Sequence, residues 1–83
     1  MAHVLIVDDD LLVSEMLSDL VRRLGHDAVS AATLSDGLTE IRGGEYDLVL
    51  LDVHLPDGNG LDALPDIRNA RSAPEVIIVT GAG

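Results

Sequence analysis

The residues with the most chemistry to offer are acids that close apolar runs. Asp8, Asp9 and Asp10 follow the run at 4–7 directly, and Asp52 interrupts Leu-Val-Leu-Leu-Asp-Val at 48–53. A carboxylate in a buried strand is costly unless something pairs with it, so Asp52 calls for a partner. Converging carboxylates repel one another unless a cation sits among them. A hard divalent ion suits such a set: Mg²⁺ takes one or two carboxylates and keeps positions for water and phosphate oxygens. A carboxylate there can attack a phosphoryl group and form an acyl phosphate, with the metal offsetting the charge repulsion. Plainer readings stand beside this one. A single acid after a strand caps the following helix, which explains one of Asp8, Asp9 and Asp10 but not three. Thr80 closes a later apolar run and is uninformative alone. Gly58 and Gly60 read as turn residues. His3, His26 and His54 show no metal-ligand spacing; His3 and His26 read as surface residues, and Tyr46 as packing at the core edge.

Seven alternating segments must position these groups. Residues 4–7 form a short, mostly β-branched run, the mark of a strand buried on both faces. Residues 11–24 change period: Val13, Met16, Leu17, Leu20 and Leu24 predict a helix packing one stripe inward. Asp10 can cap its start, and Gly25 stands where a left-handed residue would end it. Residues 27–32 are a weaker strand. Thr33 then caps a helix with Leu34, Leu38 and Ile41 inward, stopped by Gly43-Gly44. Residues 48–53 are the next strand, and 54–60 read as a loop. Leu61, Leu64 and Ile67 mark a third helix, with Pro65 tolerable only in its first turn. Residues 76–79 are a fourth buried strand. Short connections and strict alternation predict an α/β fold, a doubly wound parallel sheet with right-handed crossovers. In such sheets ligands bind outside the carboxyl ends of the strands, where these acids stand.

Composition narrows the function. Eighty-three residues make one domain at most, nearly half apolar, with Tyr46 the single aromatic residue. Fifteen acids oppose five bases, all arginine, for a net charge of −10. That balance argues against nucleic-acid binding by this segment and against an anionic membrane surface, and favours a cation or a basic partner. Without cysteine there is no disulfide or thiolate metal site. No membrane span and no signal peptide are evident, so a cytoplasmic location is expected.

Three segments together carry a family resemblance: Val-Leu-Ile-Val-Asp-Asp-Asp at 4–10, Leu-Val-Leu-Leu-Asp-Val-His-Leu-Pro-Asp-Gly-Asn-Gly-Leu at 48–61 and Val-Ile-Ile-Val-Thr-Gly at 76–81. In this order and spacing they resemble the receiver domain of two-component response regulators, over the whole chain. The resemblance implies a flavodoxin-like fold with strand order 2-1-3-4. It implies that Asp52 is the phosphoacceptor, charged by a sensor histidine kinase or phosphotransfer protein. Asp8, Asp9, Asp52 and the backbone carbonyl of His54 would hold Mg²⁺, and Thr80 would be the switch hydroxyl. Pro56, Gly58 and Gly60 would shape the adjoining loop. The chain would then be a regulator of transcription signalling rather than an enzyme.

The family continues with a helix, a strand bearing a lysine, and a last helix, whereas this sequence ends at Gly83 and has no lysine. The expectation is therefore a receiver domain at 1–83 that lacks its last strand and two helices. Such a piece would be a poor phosphoacceptor by itself and would self-associate through the apolar strand at 76–80. The main alternative is an unphosphorylated interaction or dimerisation module. A haloacid-dehalogenase-type phosphohydrolase using Asp8 and Asp10 is less well matched, because Leu12 stands where that family has Thr or Val. Flavin binding on the same fold conflicts with three acids where a phosphate loop is needed.

Overall fold

A computed structural model of the chain describes residues 1–79. Its main sheet has four parallel strands in the order β2-β1-β3-β6. These are β1 (His3–Val7), β2 (Asp27–Ala31), β3 (Leu48–Asp52) and β6 (Glu75–Val79), joined through helices α1 (Leu11–Arg23), α2 (Leu34–Gly43) and α3 (Leu64–Arg68). A two-residue antiparallel pair, β4 (His54–Leu55) and β5 (Gly58–Asn59), stands apart from that sheet. The expected 2-1-3-4 order is thus observed, β6 being the fourth strand of the main sheet.

Period-two alternation divides the core into two layers. Leu5 and Val7 of β1, with Val49 and Leu51 of β3, face α2 and α3 and pack with Ile41, Tyr46 and Ile67. Val4 and Ile6 face the other way, onto Val21 and Leu17 of α1. β1 and β3 are central and buried, while β6 pairs with β3 alone among the described residues and leaves Ile77 and Ile78 exposed. Among the described residues the fourth strand is therefore the outer strand of the sheet, the apolar edge on which the expected self-association rests.

α1 corrects the expected inward stripe. Met16, Leu20 and Leu24 are 64%, 54% and 67% exposed. The helix instead buries Ser14, Ser18 and Val21. Two small side chains let its backbone lie close to the sheet, which turns the helix by about a quarter turn from the apolar stripe. Of that stripe only Leu17, at its edge, packs against the core.

The other local expectations hold. Asp10 accepts N–H bonds from Leu12 and Val13, and Gly25 ends α1 at φ +89°. Thr33 caps α2 by accepting from the Asp36 amide at 3.1 Å, and Ile41 is buried with Leu34 and Leu38 beside it. α2 lies so close to β1 that a Cβ at Gly37 would stand 2.9 Å from Val7 Cγ2. The third helix is split: a 3₁₀ turn over Gly60–Ala63 precedes α3, with Pro65 in the first turn of α3. Proline lacks an amide donor, which costs little in the first turn of a helix, and Leu64 before it is already in α geometry, so the α-helix proper begins here.

Candidate functional site

The β1–β3 ladder ends at the pair Val7–Leu51. The next residues, Asp8 and Asp52, therefore leave neighbouring strands side by side at the carboxyl end of the sheet. Asp8 is 6% exposed and Asp52 8% exposed. Asp9 is exposed beside them, and each of the three offers a carboxylate oxygen that lies within 4.8 Å of the others. The three carboxylates converge where the sequence places them, and the run of three acids divides its labour. Asp10 points away, its carboxylate spent on the start of α1, while its own amide donates to Asp8 Oδ1 at 2.9 Å. A phosphohydrolase pair of Asp8 and Asp10 is not what this geometry assembles.

Among the described residues no basic side chain neutralises the trio. Among the described residues the one ion pair joins His3 and Asp27, at the opposite end of β1. Burial pushes the Asp8 carboxyl above the ordinary aspartate range; the Asp10 amide opposes that, and the charges of Asp52, Asp9 and Asp10 add to it. Three hard oxygen donors, two of them buried and none with a cationic partner, match the ligand preference of Mg²⁺. Ser14, buried on α1, donates from Oγ to the Asp8 carbonyl at 3.3 Å and steadies the backbone there.

Asp52 opens into the β4–β5 hairpin, a small ladder where a loop is expected. His54 pairs with Asn59 and Leu55 with Gly58, and Leu55 is buried in the main core. The His54 side chain is exposed. Gly60 returns the chain to the site: its amide donates to the Val53 carbonyl at 2.8 Å. Any Cβ at Gly60 would collide with the Asp52 carbonyl oxygen, which demands glycine more strictly than a turn does. Thr80 lies outside the described residues; its predecessor Val79 is the register partner of Asp52.

Asp57, at the hairpin tip, has no role in the sequence reading. Its two carboxylate oxygens accept the amides of Leu34 and Ser35, at 2.8 and 2.9 Å, at the start of α2. Those bonds hold its carboxyl below the ordinary range, against a small opposing cost of burial. Pro-Asp-Gly reads in sequence as a turn, and nothing local signals a partner 22 or 23 residues away. A groove of about 500 Å³ between the ends of α2 and α3, floored by Leu38, Ile41 and Ala70, shares no residue with the acidic trio.

Comparison with known proteins gives a consistent picture. The model of the response regulator receiver domain matches residues 4–83. The DNA-binding transcriptional regulator NtrC of Azospirillum brasilense is 33% identical over 79 residues, covering 95% of this chain and 16% of that protein. The CpxR homolog of Haemophilus influenzae, a transcriptional regulatory protein, is 37% identical over 83 residues, covering 100% of this chain and 36% of that protein. The chain thus spans only a minor part of these relatives. A CheY-like receiver domain protein from Methanospirillum hungatei superposes with a TM-score of 0.93 at 31% identity, covering 100% of this chain and 66% of that one. The response regulator TrrA of Thermotoga maritima, solved in complex with Mg²⁺-BeF, superposes with a TM-score of 0.88 at 30% identity, covering 96% and 70%. TrrA has also been solved in complex with the histidine kinase ThkA.

Proposed function

The chain belongs to the response regulator receiver domain family, and from that premise we propose that it is a phosphoacceptor switch in which Asp52 receives a phosphoryl group from a phosphohistidine on a sensor kinase or phosphotransfer protein. The observation that carries this reading is the convergence of Asp8, Asp9 and Asp52, without a basic partner, where β1 and β3 end. An Asp52 oxygen attacks phosphorus, the bond from phosphorus to the donor imidazole breaks, and an acyl phosphate forms while the imidazole leaves. Asp8, Asp9, Asp52 and the His54 carbonyl would hold Mg²⁺, which when bound offsets the repulsion between carboxylate and phosphoryl oxygens. The Mg²⁺-BeF complex of TrrA supports Mg²⁺ as the ion, and its complex with ThkA supports a kinase as donor. Asp8 and Asp52, held at the ends of paired strands, orient the site; Gly60 keeps the chain clear of the Asp52 carbonyl. Thr80, the residue after the register partner of Asp52, would supply the hydroxyl that turns to the phosphoryl oxygens. In the whole protein the output is control of transcription, as the relatives' names suggest, in the cytoplasm where such kinases present their phosphohistidine.

Incubation with a labelled phosphoramidate and Mg²⁺ tests the assignment. A base-labile label on the wild type that vanishes in Asp52→Asn is the expected result. Label retained in Asp52→Asn, or found on Asp8, overturns it.

The outer strand favours a second reading, association between copies of the chain. Ile77 and Ile78 are exposed on β6, an apolar edge of the kind that pairs with another strand. Sedimentation as a clean monomer at high concentration removes that reading.

A further inference from the structure

The trio draws on two strands whose ladder stops one residue short of both Asp8 and Asp52. Asp52 is still paired to Val79 and the Asp8 amide to the Ala31 carbonyl, but the β1–β3 ladder itself does not tie the two acids to each other. We propose that Asp57 is the positioning residue that does so, tying the hairpin after Asp52 to α2 and thereby setting how tightly the site holds a divalent cation. The inference rests on the reading of Asp8, Asp9 and Asp52 as Mg²⁺ ligands given above.

Two connected sets of contacts support it. On one side, α2 is fixed against β1 at Gly37, where a Cβ would be 2.9 Å from Val7, the residue before Asp8. On the other side, the hairpin is fixed to Asp52 by Gly60, whose amide holds the Val53 carbonyl and whose Cα abuts the Asp52 carbonyl. Asp57 joins the two, with both carboxylate oxygens on the Leu34 and Ser35 amides. Gly58 reinforces the joint, since a Cβ there would stand 3.3 Å from Leu34 Cδ2. The helix does not need Asp57 as its cap, because Thr33 already provides one. A charge-assisted pair of bonds to a second element fixes the loop in both position and angle. The loop carries the His54 carbonyl, so its placement bears directly on the metal.

The test titrates Mg²⁺ into the folded chain by calorimetry and by amide resonances. Wild type, Asp57→Ala, Asp57→Asn and Asp52→Asn are compared, with a thermal melt of each. Asp57→Ala is expected to weaken Mg²⁺ binding about tenfold, at the lower end of what losing an outer partner of a metal site costs. Asp57→Asn, which keeps one acceptor oxygen, recovers part of that loss. A capping role alone would lower the melting temperature and leave the affinity of the folded protein untouched. In the wild type, the Leu34 and Ser35 amides are expected to shift as the site fills, so the proposal is readable even if Asp57→Ala does not fold. Equal affinity in folded Asp57→Ala and wild type overturns the proposal, as do Leu34 and Ser35 amides that stay still through saturation. Mg²⁺ binding that is absent in the wild type, or unchanged in Asp52→Asn, overturns the metal reading itself, and this proposal with it.

Discussion

Asp8 and Asp57 lie at the same end of the sheet and carry the same carboxyl group, yet their surroundings drive them in opposite directions. Asp8 is buried among other acids and its carboxyl is pushed up, chiefly by loss of water. Asp57 is exposed at a hairpin tip and its carboxyl is held down, chiefly by the Leu34 and Ser35 amides. One has no cationic partner among the described residues. The other is already satisfied by backbone donors at a helix start, where negative charge is favoured. Carboxylates at the edge of a parallel sheet therefore separate by their donors: Asp8, with one amide against three neighbouring acids, suits ligand chemistry, and Asp57, with an amide on each oxygen, holds the frame.

The comparison can be broken most forcefully at Gly60, which lies between the two groups. Gly60→Ala drives a methyl into the Asp52 carbonyl and is expected to cost about 3 kcal/mol. Thermal melting should fall by more than about 10 °C, and a change within about 2 °C would show that site and hairpin do not share this hinge. Next comes Asp8→Asn, which removes charge while keeping an acceptor for the Asp10 amide. Mg²⁺ affinity should fall by at least about 100-fold, since a charged ligand of the ion costs no less than an outer partner does. In chelator the same variant should melt a few degrees higher, since a repelling charge is gone. A variant less stable in chelator would mean that the trio is not frustrated when metal-free.

Thr33→Ala sharpens the contrast by removing the local cap of α2 and leaving the distant one. Stability should drop by about 1 kcal/mol, with Mg²⁺ affinity unchanged in titration calorimetry. The smallest effect is in pH dependence. The Asp8 carboxyl is raised in the fold, so its ionised form opposes folding. Metal-free protein gains stability from it as pH falls through the raised value towards the ordinary 3.8. Asp57 is lowered, so its contribution is full above 3.8 and is lost as pH falls below that value. Melting temperatures of the wild type less those of Asp8→Asn should rise towards pH 4, and those less Asp57→Asn should fall below it. The reverse order of these two trends would dissolve the distinction.

Much of this arrangement was legible in the chain's apolar periodicity. Alternation of short β-branched runs with helical stripes led to the parallel α/β fold, the family resemblance implied the sheet order, and acids at the ends of the first and third strands led to the trio. Caps at Asp10 and Thr33 and the left-handed Gly25 were readable because each depends on neighbours in sequence. What depended on distant partners was not. The stripe on α1 is real, but the choice of face was made by Ser14 and Ser18, whose smallness lets the helix settle closely. The reach of Asp57 to α2 likewise crosses more than twenty residues. Sequence marks the residues that can do chemistry; it does not mark which acid has been claimed by the frame.

The strand order also has a consequence for how fast the molecule forms. β1 sits at the centre of the sheet, pairing with β2 and with β3, and Val4 must wait for Leu48 before its second edge is closed. No main-sheet pairing is a hairpin, so each is a long loop closure, the slow kind. Docking of β3 on β1 is also the moment at which Asp52 first meets Asp8. The mutual repulsion that suits the site to a cation thus arises at one identifiable step of folding. Asp8→Asn should speed refolding in chelator if the transition state already contains that pair, and slow only unfolding if it does not.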